Sequence, residues 1–265
     1  MTSRVSLFGI QIDPLRMPEA AARVLEWSRA PEWRCRIVVT PNVDHVVMLE
    51  TNEAFSRAYA DADLVLADGM PVVLSSKLLR KPLPERVTGA DLVPAVFAGA
   101  QVGSAQASGG PLLRVFLLGA APGVGDRAAA RIVRDWPAVE VVGTYSPPLG
   151  FERDEAENRR ILELVAAAEP DVLVVGLGAP KQELWVHAHR AEIRAKVALC
   201  VGAAIDFLAG NKGRAPHWMR RCGLEWMHRV VSEPRRLAAR YARDAWLFPR
   251  LVWREWRGRR TSAGV

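Results

Sequence analysis

The sequence predicts an α/β fold: a mostly parallel sheet with helices on both faces, followed by a basic, Trp-rich helical appendage at the C-terminus. Three observations predict it. Short runs rich in Val, Leu and Ile alternate with segments of helical length. Each run is followed by a turn residue, and such alternation favours a parallel sheet covered on both sides. The positive charge is confined to the end of the chain: residues 211–265 hold 14 Lys and Arg against 4 Asp and Glu, whereas residues 1–210 hold 22 against 25.

The predicted strands are 36–40, 64–67, 114–118, 139–142, 172–175 and 197–201, and the predicted helices between them include 43–60, 126–135, 155–168 and 181–190. Residues 101–111 are small, polar and Gly-rich, and read as a flexible loop between two halves of one sheet. In the tail, Trp218, Cys222, Trp226 and Val230 recur every fourth residue, which lines one helical face with apolar groups. Pro234 breaks that run. A second helical stretch puts Leu237, Tyr241, Phe248 and Val252 on or near one side, flanked by Arg236, Arg240, Arg243, Arg250 and Arg254, with a kink expected at Pro249. The expected organisation is thus a core over residues 1–210 and a membrane-associating appendage over 211–265.

Composition sets ordinary bounds. With 265 residues, half of them hydrophobic, the chain can bury a large core. Residues 1–13 hold no apolar stretch long enough for a secretory signal, and the longest apolar runs, 172–179 and 197–205, fall far below a membrane span. A cytoplasmic protein, peripheral on the inner face of the cell membrane, is the expectation. Cys35, Cys200 and Cys222 are widely spaced without a metal-ligand pattern, and read as reduced thiols.

In a doubly wound, Rossmann-like sheet, ligands collect beyond the carboxyl ends of the strands. That rule gathers Thr40 and Asn42 after the first strand, Asp68 and Gly69 after the second, and Gly119 to Gly125 after the third. It adds Tyr145 after the fourth, 176–178 after the fifth and Asp206 past the sixth. The plainer reading is that Asn42 caps its helix and Asp68 binds backbone amides. A carboxylate ending an apolar strand in this company favours function. The Gly119 loop can cradle a phosphate on backbone amides or merely pack helix on sheet. It lacks the dinucleotide spacing, and Glu140 precedes its strand instead of ending it. Asp61 and Asp63 form an Asp-x-Asp pair, but they precede their strand, opposite the crevice, and read as a solvated turn. His187 and His189 do not share a helical face, so no metal and no other cofactor is expected.

Read in order, Thr40-Pro-Asn42, Ala-Asp-Gly at 67–69, Arg-Val-Thr-Gly-Ala-Asp-Leu at 86–92, and the segments at 176–183, 201–207 and 212–241 carry a family pattern. Over about residues 5–242 the chain resembles the WecG/TagA/CpsF glycosyltransferases of bacterial surface polysaccharide and teichoic acid synthesis. The resemblance implies an inverting transfer of N-acetylmannosamine, its uronic acid or glucose. The donor would be a UDP-sugar and the acceptor a polyprenyl-diphosphate-linked saccharide at the cytoplasmic membrane. It implies Asp68 as the catalytic base with Thr40 and Asn42 beside it, and Arg86 and Gln182 near the diphosphate and acceptor. Tyr145 and Asp206 would meet the nucleoside, and the tail residues Arg221 and Arg229 would close over the site. Pro71 departs from the Gly that many relatives carry there, which bears on the sugar pocket.

The residue types suit that chemistry. One base must take the acceptor proton, and without a cation the leaving diphosphate needs Arg forks or a helix N-terminus. The expected partners are the donor, the lipid-linked acceptor and an anionic membrane surface; a homo-oligomer is left open. A nicotinamide-dependent oxidoreductase would need an acidic residue at the end of the following strand. A nucleic-acid-binding protein would account for the net charge of +7 but not for a basic segment lacking a recognised reading motif, so no nucleic acid is expected.

Overall fold

A computed structural model of the chain describes residues 3–106, 110–211, 213, 215, 216, 219, 227, 230 and 234–262. All six predicted strands form one parallel sheet. Its strands are β3 (Arg36–Val39), β4 (Leu64–Val65), β5 (Leu113–Gly119), β6 (Val139–Tyr145), β7 (Val172–Gly176) and β8 (Val197–Cys200), in the order β4-β3-β8-β7-β5-β6. A separate antiparallel hairpin, β1 (Val5–Leu7) and β2 (Ile10–Ile12), precedes them and was not predicted.

Successive strand residues point to opposite faces, so a sheet covered on both sides needs apolar residues at every position. Val38, Val115, Leu117, Val172, Val174, Val197 and Leu199 pack with α1 (Met17–Ser28), α5 (Gly89–Gln106), α6 (Val124–Asp135) and α9 (Ala204–Leu208). Ile37, Val39, Phe116, Leu118, Leu173, Val175 and Cys200 pack on the other side. Their partners are α2 (Val43–Leu49), α3 (Glu53–Ala60), α4 (Met70–Leu78), α7 (Glu155–Ala168), α8 (Lys181–Ala188) and α10 (Pro234–Ser262).

Two sequence expectations are corrected. The predicted helix over 43–60 is two helices, because the Asn52 side chain accepts from the Phe55 backbone N–H at 3.0 Å and starts α3 afresh. The stretch 101–111 is not a loop throughout: α5 runs to Gln106. Its Gly99 serves close helix packing. A Cβ on Gly99 would stand 2.6 Å from Leu25 Cδ1, so its absence lets α5 approach α1, whereas one on Gly103 would meet only the guanidinium end of Arg29.

The tail helix α10 is 29 residues long and carries Pro249 in its interior. It lies against the core instead of standing off it. Leu237, Phe248 and Leu251 are buried, and the Phe248 ring meets Phe8 of the hairpin turn at 5.4 Å between centroids. Of the predicted stripe, Leu237 and Phe248 are buried and Tyr241 and Val252 half-buried. Arg254 forks onto both carboxylate oxygens of Glu50 at 2.7 and 2.6 Å. Among the described residues no helix is long and apolar enough to cross a membrane. Cys35 and Cys200 are buried free thiols, and burial pushes Cys35 up to about 12; Cys222 lies outside the described residues.

Candidate active site

Four adjacent strands, β4, β3, β8 and β7, end side by side, and the turns leaving them enclose two adjoining cavities. The first, about 370 Å³, is polar. Thr40, Asn42, Asp68, Gln182, Asp206 and Arg240 stand around it, with the backbone of 176–179 and 201–203. The second, about 450 Å³, is walled mainly by apolar side chains from α4, α9 and α10, with Arg86 at its edge. Asn42, Asp44, Asp68 and Arg240 belong to both.

Local sequence explains how each group arrives there. Asn42 leaves β3 and caps α2, its Oδ1 accepting from the His45 backbone N–H at 3.2 Å, so the capping and site readings both hold. Asp68 sits between β4 and α4, held by its backbone N–H donating to the Pro41 carbonyl at 2.8 Å. Gly69, which follows, has φ +140° and caps α4, a conformation that a side chain would strain. The chain thereby turns sharply at Asp68 and leaves the carboxylate on the wall between the cavities.

Gln182 lines the polar cavity and also ties two turns together. Its Oε1 accepts from the backbone N–H groups of Gly178 at 3.2 Å and Gly202 at 3.1 Å, and its Nε2 donates to Glu183 Oε1 at 2.8 Å. One side chain therefore brackets the turns after β7 and β8. Glu183 is 1 % exposed, and its Oε2 has no hydrogen-bond partner among the described residues. Burial pushes its carboxyl up to about 7, against the opposing hydrogen bond from Gln182. On the same side, His45 lines the polar cavity and pairs through Nδ1 with the Tyr59 hydroxyl at 2.6 Å; burial, and then Arg240, lower it to about 3, so it is neutral.

Sequence reasoning missed Asp44 and placed Arg240 only as flanking charge. Asp44 Oδ2 meets Arg240 Nη1 at 3.3 Å and its Oδ1 meets Arg243 Nη2 at 2.6 Å. Asp244, 2 % exposed, meets Arg243 Nη2 at 3.3 Å, and burial followed by the charge of Asp44 raises its carboxyl. An acid in the first turn of a helix and an arginine in a basic tail are each too common to single out from sequence.

The remaining predicted residues divide. Arg86 lines the apolar cavity, and Thr40 and Asp206 the polar one. Gly119 and Tyr145, at the ends of β5 and β6, line neither. Gly119 has φ +114°, and a Cβ there would stand 2.5 Å from the Gly176 carbonyl oxygen, so it lets β5 and β7 close together. The Tyr145 hydroxyl donates to Glu157 Oε1, with Arg160 5.3 Å over its ring. Arg221 and Arg229, with Trp218 and Trp226, lie outside the described residues.

Of the Asp-x-Asp pair, Asp61 lies in a turn and is exposed as expected, whereas Asp63 is a structural joint. Asp63 Oδ2 accepts from the Ile37 backbone N–H at 2.8 Å and from Arg190 Nη2 at 2.6 Å, and Asp61 Oδ2 pairs with His187 Nε2 at 2.7 Å. Among the described residues no group of three or more His, Cys, Asp and Glu is disposed to hold a metal ion.

The family model described as the glycosyl transferase WecG/TagA/CpsF family matches residues 5–262. The match runs past residue 242, where the recognisable motifs end, and takes in the whole of α10. An N-acetylglucosaminyldiphosphoundecaprenol N-acetyl-beta-D-mannosaminyltransferase of Bacillus spizizenii strain W23 is 35% identical over 199 residues, 75% of this chain and 72% of that protein. A protein of the same name from Staphylococcus aureus strain MRSA252 is 27% identical over 236 residues, 89% of this chain and 87% of its own.

Glu183 supplies a test of the bracket. Its native carboxyl keeps its proton up to about pH 7, whereas an unfolded Glu releases it near 4.5. The native state then binds more protons between those values, so stability is greatest below that window and falls as pH rises through it. Glu183→Gln keeps an acceptor for Gln182 and removes the titration. Thermal denaturation should show the variant melting close to wild type at about pH 5 and several degrees above it at about pH 8. Parallel curves at the two pH values would contradict the assignment.

Proposed function

The chain belongs to the WecG/TagA/CpsF glycosyl transferase family, and from that premise we propose that it moves N-acetylmannosamine from a UDP-sugar to an N-acetylglucosaminyl-diphosphate lipid. The transfer is inverting and needs no metal. The observation that carries this reading is the position of Asp68, on the wall common to a polar and an apolar cavity. The donor occupies the polar cavity and the acceptor hydroxyl approaches from the other side. Asp68 takes that hydroxyl's proton as its oxygen forms the new bond to the anomeric carbon. The bond from that carbon to the diphosphate oxygen breaks on the opposite face, and UDP leaves with the electron pair.

The charge that grows on the leaving diphosphate needs a fixed cation. Arg240 is suited to this, since Asp44 holds it at the edge of both cavities. Thr40 and Asn42 line the same rim and orient the sugar. Gln182 acts through the two turns it brackets. Asp206 meets the nucleoside from the polar cavity, and Gly119 and Tyr145 extend that contact toward β5 and β6. Arg221 and Arg229 complete the enclosure from the tail. A nicotinamide reading has less support, because Glu140 pairs with Arg114 at 3.2 Å near the amino end of β6, away from the crevice.

The same tail carries the membrane reading. Trp246 and Trp253 are 65% and 54% exposed, and Arg250 and Arg257 stand 3.6 and 4.3 Å over their rings. Seven residues apart, the two Trp share one face of α10, and paired Trp and Arg suit the headgroup layer of an anionic leaflet on the inner face of the membrane.

Three outcomes follow. Asp68→Asn should lower turnover by about a hundred-fold or more while leaving UDP binding near wild type; near-normal turnover with the chemical step limiting would remove the base assignment. Wild-type turnover should persist in a chelator, and loss restored by magnesium or manganese would contradict the metal-free mechanism. With each basic residue near an anionic leaflet worth about 1 kcal/mol, Arg250→Glu with Arg257→Glu should weaken binding to anionic liposomes by at least roughly thirty-fold. Unchanged sedimentation would place the docking face elsewhere.

A further inference from the structure

We propose that the apolar cavity is a binding site for the first isoprene units of the acceptor's lipid chain, an inference that rests on the transfer reading above. Asp68, Arg86 and Arg240 line this cavity with Asn42, Asp44, Thr88 and Asp244, and Met70, Pro71, Phe207, Tyr241, Phe248 and Pro249 give it a large apolar wall. A sugar hydroxyl at Asp68 and a diphosphate between the arginines leave the next part of the molecule facing those apolar side chains. One cavity thus offers a carboxylate, two cations and an apolar wall, the three kinds of surface that suit the sugar, diphosphate and chain of a lipid-linked saccharide. Neither a free nucleotide nor a soluble sugar phosphate would use the third part.

The apolar wall also has an exit. Met70 lines the cavity, and Leu74 and Leu78 follow it at four-residue spacing on α4, so the three share one helical face. Leu74 is 56% exposed and Leu78 65%. On a helix whose other residues include the buried Val72, Val73, Ser75 and Ser76, two exposed leucines continuing a cavity wall make a track from Asp68 to the surface. The rest of a long chain follows that track into the bilayer. On the opposite wall, α10 offers Ala245, Phe248 and Pro249 to the cavity and the exposed Trp246 to solvent.

The test uses full-length enzyme and water-soluble acceptors, so that partition into membranes plays no part. N-acetylglucosaminyl-diphosphate bearing a methyl group is compared with the same headgroup bearing geranyl, two isoprene units long. Burial of even a few methylenes should favour the geranyl acceptor by at least about ten-fold in kcat/KM. Ala245→Phe fills the cavity from an exposed position on α10 and should cut that preference to below about three-fold. Should that variant fail to fold, Leu74→Glu, on the surface track, should erase the further gain of a farnesyl over a geranyl acceptor. Equal efficiency on methyl and geranyl acceptors in the wild type, or a preference unmoved by both variants, would overturn the lipid site and leave the transfer reading standing. Absence of transfer to every acceptor would overturn both.

Discussion

The candidate site depends on one carboxylate. Asp44, in the first turn of α2, gives one oxygen to Arg240 and the other to Arg243, and so fastens α10 to the rim of the sheet. A helix N-terminus favours a negative charge on its own account, and two cations then satisfy it from outside. Asp44 is 8 % exposed, and Arg240 Nε is buried without a partner among the described residues. The arginine side chains are partly solvated, so the cost falls on Asp44: losing an arginine takes a partner from a carboxylate held away from water, which costs more than breaking an exposed pair. Through this joint the basic tail becomes a wall. Tyr241, Asp244, Ala245 and Phe248 close one side of the apolar cavity, and Arg240 reaches both.

The opposite wall follows from sheet topology. Four parallel strands in the order β4-β3-β8-β7 deliver their carboxyl ends to one edge, and each leaves through a short turn into a helix. Thr40 and Asn42 follow β3, Asp68 follows β4, and Gln182 binds the turns after β7 and β8 to each other. Because Gln182 is only 2 % exposed and Glu183 beneath it is buried, this rim is held by interior contacts. A rigid rim on one side and a docked helix on the other make an enclosure that can exclude water once substrates fill it.

Much of this was legible in the sequence. The strands were visible because both faces of the sheet are buried, which leaves unbroken apolar runs at 37–39, 172–175 and 197–201. Thr40, Asn42, Asp68 and Asp206 were found by their places past strand ends, and the structure brings them to one cavity. What stayed hidden depends on partners distant in sequence. Residues 101–106 look like a loop until α5 is laid along α1. Asp44 looks like an ordinary helix-start acid until α10 arrives some two hundred positions later. Asp63 looks solvated until Arg190 comes across from the end of α8. Gly119 and Tyr145 passed the same positional filter as Asp68, yet β5 and β6 follow β7 in the sheet order and end outside the lining of both cavities.

The central claim is that the rim of β3, β4, β7 and β8 and the helix α10 form one site. Backbone hydrogen exchange on the full-length protein, with and without UDP, tests it most directly. The account predicts slowed exchange at 40–45, 176–182 and 201–206 together with the segment of α10 around Arg240. Protection confined to 119–125 and 144–146, with the rim and α10 unchanged, would contradict it.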